Sequence, residues 1–200
     1  VLESWGVNDS SNFWEIFDKY DFEKRQSMYN KRELYVYDDV LSCLETIKST
    51  GLKLAVASNT ANFIANWEVD NFDLSDYFDL VRGLGDVQEK AKPEAEGLLE
   101  VLEELGETPQ TTLYVGDSPV DLEACLRADL RFVWIKRMEN YADQEQYAYV
   151  KNRFKRILEK NDKTCEDLQF VENLEHLIPL LKAKSRWAYG IYQPFCILNL

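Results

Sequence analysis

Two rhythms of apolar residues divide the chain. In the first part they recur every three or four positions: Phe13, Phe17 and Tyr20 share one face of a helix that begins at Ser10 or Ser11 and fades in the polar stretch around Asn30. A second helix is predicted over 38–49, with Val40, Leu41, Leu44 and Ile47 on one side and Gly51 just past its end. From Leu52 onward, short apolar runs at 52–57, 78–81, 112–115 and 132–135 alternate with helical stretches. The connections are long enough for a crossover helix and too long for a hairpin, so the runs read as parallel strands of a doubly wound α/β sheet.

The helix after Pro93 supports this reading, because Ala95, Leu98, Leu99, Leu102 and Leu105 keep helical spacing and Gly106 closes it. Residues 137–163 are rich in charge and hold a weaker amphipathic helix through Tyr147, Val150, Phe154 and Ile157. A short strand at 168–171 and a last helix with Leu174, Leu177, Ile178 and Leu181 follow. After Lys184 comes an aromatic and apolar stretch, RWAYGIYQPFCILNL.

Charge narrows the range of partners. Among 200 residues, 36 acidic and 23 basic side chains leave a net charge of −13, which repels phosphate backbones and anionic lipid. Nucleic acid and membrane surfaces are therefore not expected partners, and an anionic ligand needs a local positive centre or a metal. No apolar run is long enough to span a bilayer, and the start lacks a basic region followed by an apolar one, so a cytoplasmic protein is expected. Cys43, Cys125, Cys165 and Cys196 lie far apart without CxxC spacing and read as reduced thiols. The chain opens on Val1, which suggests a missing beginning.

In a parallel α/β sheet, ligands gather at the carboxyl ends of strands. The first apolar run ends in Ser58-Asn59-Thr60, which offers a hydroxyl and backbone amides to an anion, although a serine there also serves as a helix cap. The third ends in Gly116-Asp117-Ser118-Pro119-Val120-Asp121, with two acids at a helix start that can face one spot. Such hard oxygen ligands suit magnesium, and the plainer alternative is that both acids complement the helix dipole. Lys92 precedes Pro93 and a helix, where its ammonium can reach the same cleft; Lys90 is the rival. His176 has no evident partner, and Gly83-Leu84-Gly85 lacks the third glycine of a dinucleotide fingerprint.

VASNT, KAKPE and YVGDSPVDLEA resemble, in order, the second, third and fourth motifs of the haloacid dehalogenase (HAD) hydrolases, phosphoglycolate-phosphatase-like members above all. The resemblance implies a HAD-like, Rossmann-type parallel sheet with flanking helices over 37–184, the remnant of a helical cap over 1–36 and a separate tail over 185–200. It also implies a Mg2+-dependent phosphatase acting on a small phosphorylated metabolite through an aspartyl-phosphate. Ser58, Asn59 and Lys92 would then meet the substrate, and Asp117 and Asp121 would hold magnesium directly or through water, with Ser58, Lys92 and Asp117 serving catalysis.

The family's first motif, DxD at the end of a central strand, does not occur. Asp18 and Asp21 are three apart in a helical pattern, and Asp73 and Asp76 share that spacing. The family's central first strand is thus expected to be missing, with the chain an N-terminally truncated one, inactive alone. Its slot, beside the strand ending at Ser58, would expose unpaired amides and call for a filler: a separate N-terminal segment, self-association, or residues 195–200 of the tail. The alternative function is a catalytically dead scaffold that binds a partner or a phosphorylated ligand.

Overall fold

The computed structural model describes residue 6, residues 9–182 and residues 195–198. In chain order the elements are α1 (Ser10–Asn30), α2 (Asp39–Ser49), β1 (Leu54–Ser58), α3 (Asn62–Asn71), β2 (Leu80–Gly83), α4 (Glu96–Leu105), β3 (Thr112–Gly116), α5 (Pro119–Arg127), β4 (Arg131–Ile135), α6 (Gln144–Lys160), β5 (Gln169–Val171), α7 (Leu177–Lys182) and β6 (Phe195–Leu198). Six strands form one sheet in the order β2-β1-β6-β3-β4-β5, and every neighbouring pair is parallel.

Strand alternation splits the core into two faces. Leu54 and Val56 of β1 and Leu113 and Val115 of β3 pack with Leu44 and Ile47 of α2 and Leu177 of α7. Ala55, Ala57 and Tyr114 point the other way, toward Leu98 and Leu102 of α4 and Cys125 of α5. A smaller cluster of Leu122, Trp134, Phe154 and Leu158 fixes α6 outside α5 and β4.

The slot in the middle of the sheet is filled from within the chain. β6 aligns Cys196, Ile197 and Leu198 with Leu54, Ala55 and Val56 on one side and with Leu113, Tyr114 and Val115 on the other. The tail thus meets the expectation for 195–198; residues 199 and 200 lie outside the described residues.

Three local readings change. Helix α1 takes Asp9 as its cap, whose Oδ1 accepts from Asn12 N at 2.9 Å. Its docked face is that of Phe22 and Tyr29, whose rings meet Phe63 and Trp67, and Trp67 and Phe72, while Phe17 and Tyr20 are exposed. Helix α4 starts at Glu96 rather than at Pro93, because Glu94 N donates to Ala91 O and Gly97 N to Lys90 O, closing turns over 90–97; the Lys92–Pro93 bond is cis. Strand β2 starts at Leu80: Asp79 instead exchanges hydrogen bonds with Leu54, backbone N to O at 2.8 Å and Leu54 N to Oδ2 at 2.8 Å.

Candidate functional site

Lys92 is the hub of the carboxyl edge. Its side chain is 2% exposed, and the ammonium donates to Ala57 O at 2.9 Å, to the Tyr114 hydroxyl at 2.7 Å and to Asp121 Oδ1 at 2.7 Å. A buried lysine needs this much compensation for its lost hydration. The rival Lys90 lies on the surface, paired with Glu100. Asn59 holds Lys92 from the other end, since its side-chain amide donates to Lys92 O at 2.7 Å and accepts from Lys92 N at 2.9 Å. The Asn59 amide therefore positions Lys92, and it also lines the cavity described below.

Asp121 is fully buried. Oδ2 accepts from Ser118 N at 3.0 Å, closing a capping box at the start of α5, and Oδ1 receives Lys92. The Tyr114 hydroxyl has Asp121 Oδ1 at 3.1 Å and Ala57 O at 3.2 Å within reach of its one proton. Burial, then the Asp121 charge, push the Tyr114 phenol and the Cys125 thiol well above their ordinary ranges. Gly116 makes room for this arrangement: a Cβ there would lie 2.7 Å from Asp121 Oδ2.

Ser58 is 7% exposed, and its Oγ accepts from Thr60 N and Thr60 Oγ1, each at 3.4 Å. Among the described residues no acceptor takes its own proton, which leaves that proton available to an oxyanion. The start of α3 is less open than expected, because Asn62 N donates to Asp86 Oδ1 at 3.1 Å. Gly83 and Gly85 serve close packing here. A Cβ on Gly83 would lie 2.3 Å from Asn62 Cα, and one on Gly85 would lie 2.7 Å from Asn59 O.

Ser58, Asn59, Lys92 and Asp121 line one cavity of about 410 Å3. Its other wall is α1, through Trp14, Phe17, Asp18, Asp21 and Arg25. Arg25 Nε meets Asp21 at 2.8 Å and Nη1 meets Glu68 of α3 at 2.5 Å. None of these helical residues follows from motif spacing; only the docking of α1 on α3 brings them to the site. Tyr114 also escaped the sequence reading, since a tyrosine inside an apolar strand looks like core.

Asp117 goes elsewhere. It lines a neighbouring cavity of about 230 Å3 with Arg137 and Asn140, and Asn140 Nδ2 donates to its Oδ2 at 3.4 Å. The two acids thus border different cavities, because Asp117 lies just past the end of β3 whereas Asp121 turns back beneath Gly116. Their oxygen chemistry suits magnesium, yet Asp121 is already committed to Lys92 and Ser118. No cluster of three or more metal-ligating side chains exists among the described residues. The described donors alone do not complete a magnesium site.

A doubly wound parallel sheet with a serine, a lysine and an aspartate gathered at its carboxyl edge defines an α/β core with an anion-handling rim. The chain belongs to the haloacid dehalogenase-like hydrolases, whose family pattern matches residues 3–135. A phosphoglycolate phosphatase of Aquifex aeolicus is 40% identical over 114 residues, covering 57% of this chain and 51% of that protein. A Clostridium perfringens protein named provisionally as pyrophosphatase PpaX is 30% identical over 174 residues, covering 80% and 76%. The crystal structure of a HAD phosphatase from Thermococcus onnurineus superposes with a TM-score of 0.63 at 24% identity, covering 90% of this chain and 76% of that one, and so shares the fold. The chain spans about half the length of the first curated relatives it matches.

Proposed function

We propose that this chain is the sheet-bearing part of a phosphatase that hydrolyses a phosphate monoester of a small metabolite, with magnesium as cofactor. The observation that carries the reading is the convergence of Ser58, Lys92 and Asp121 on one cavity at the carboxyl edge. The Ser58 hydroxyl donates to a phosphoryl oxygen, and the Lys92 ammonium, held by Asn59, Tyr114 and Asp121, would turn one of its protons from those partners to the transferring group when the phosphate enters. Asp117 would contribute one oxygen ligand to magnesium, with the others coming from outside the described residues, and the ion would offset the substrate's charge in an acidic protein.

Cleavage through an aspartyl-phosphate requires an attacking carboxylate on a strand end, and the sequence contains no DxD motif. In this reading that group comes from outside this chain. Residues 1–36 then represent the remainder of a cap and 37–184 the core. The cytoplasm is the proposed location, in keeping with unpaired Cys43, Cys125 and Cys165. No helix among the described residues is long and apolar enough to cross a membrane.

One observation favours a second reading. β6 fills the centre of the sheet with a strand that contributes no acid, as a scaffold that binds phosphorylated ligands without turning them over would need. Calorimetry with inorganic phosphate and magnesium, beside an assay with p-nitrophenyl phosphate, tests both. Binding abolished by Ser58→Ala without turnover is expected of this chain. Absence of phosphate binding would overturn the site, and turnover would overturn both the external nucleophile and the scaffold.

A further inference from the structure

The two walls of the Ser58 and Lys92 cavity differ in chemistry. The core wall offers the Ser58 hydroxyl proton, beside a Lys92 ammonium whose three protons go to Ala57, Tyr114 and Asp121. The α1 wall carries Asp18 and Asp21 one helical turn apart, with the rings of Trp14 and Phe17 beside them. Its one cation, Arg25, is already matched by two carboxylates, Asp21 and Glu68. Asp18 has no hydrogen bond or ion pair with any described residue. Burial, then the charges of Asp86 and Asp21, raise its carboxyl above the ordinary range, so the surroundings of Asp18 are negative. Trp14 and Phe17 meet edge to face at 5.6 Å, which presents aromatic surface next to that carboxylate.

An anionic group beside α1 would face two carboxylates and no uncompensated cation. An ammonium would find a carboxylate that has no hydrogen bond or ion pair among the described residues, together with aromatic faces, two features that attract organic cations. We infer that the cavity selects phosphate monoesters whose leaving group carries a positively charged amine, held by Asp18 against Trp14 and Phe17, over monoesters whose leaving group carries a carboxylate.

This inference rests on the proposed phosphate site and narrows it to a substrate class. The phosphate occupies the Ser58 and Lys92 end, and the amine reaches across to α1. The acidity of the whole chain acts in the same direction, since its net charge is −13.

The test compares two esters of similar size and opposite terminal charge, O-phosphoethanolamine and 2-phosphoglycolate, with inorganic phosphate as reference. Each is titrated calorimetrically into the full chain with magnesium present. Phosphoethanolamine is expected to bind about tenfold more tightly than phosphoglycolate, a difference of about 1.4 kcal/mol. In Asp18→Asn the preference should shrink to within about twofold. Equal or tighter binding of phosphoglycolate by the unaltered chain overturns the inference while leaving the phosphate site standing, and so does a preference that survives Asp18→Asn. If inorganic phosphate and both esters all fail to bind, the phosphate site falls and the inference falls with it.

Discussion

The Lys92 ammonium and the Asp121 carboxylate meet at 2.7 Å, with side chains 2% and 0% exposed, and each is held by further partners. Removing one member strands the other charge in the interior, which costs about 3–5 kcal/mol. Lys92→Met should therefore lower the unfolding free energy by that amount in urea titrations. Lys92→Met combined with Asp121→Asn should cost clearly less than the two single changes added together. Additive losses would show that the two groups are not coupled.

Much of this edge was legible in the sequence, and the missing part has a physical cause. The apolar runs and the residues following them pointed to Ser58, Lys92 and Asp121, because strand ends in a parallel sheet collect polar groups. Asp117 diverged from Asp121 because four residues of spacing do not say how a helix start folds back under a glycine. The α1 wall was hidden because periodicity marks which residues share a face and not where that face docks. Phe17 and Tyr20 looked like the buried stripe, while Phe22 and Tyr29 make the contact.

The central strand should be indispensable to the sheet. Truncation before residue 185 leaves the facing edges of β1 and β3 without partners in the middle of the structure. A large fall in melting temperature and soluble yield is expected, read by thermal denaturation and light scattering. Ile197→Pro, which deletes a backbone donor from the middle of the central strand and restricts its φ, should lower the melting temperature in the same direction. A truncated chain that melts like the intact one would rule out the central placement of β6.

Alkaline pH should weaken the fold. Burial pushes the Cys43 thiol from its ordinary 9.0 up to about 12, and Tyr114 and Cys125 shift in the same direction. Well below pH 9 these groups are protonated in both states and contribute no pH dependence. Above it the unfolded chain releases protons that the folded chain retains, so stability falls as pH rises from about 9 toward 12. Cys43→Ala should flatten part of that slope in urea titrations at stepped pH. A stability independent of pH over that range would contradict the burial of these groups.

The hold of α1 on α3 depends on Trp67, whose ring meets Phe22 at 5.4 Å and Tyr29 at 5.7 Å. Trp67→Ala should release α1 at a local cost of about 1–3 kcal/mol. Hydrogen exchange would then quicken across 10–30 while protection in β1 and β3 changes little. Uniform loss of protection would mean that α1 and the sheet unfold as one unit.

Because β6 follows the other described strands in the sequence, it is made after them. A ribosome translating this message delivers β1 with β2, and later β3 with β4 and β5, as two separate half-sheets. These can join only once the segment that threads between them has left the exit tunnel. Until then each half carries a sticky inner border, and the nascent protein depends on speed or on chaperones to avoid pairing with a neighbour.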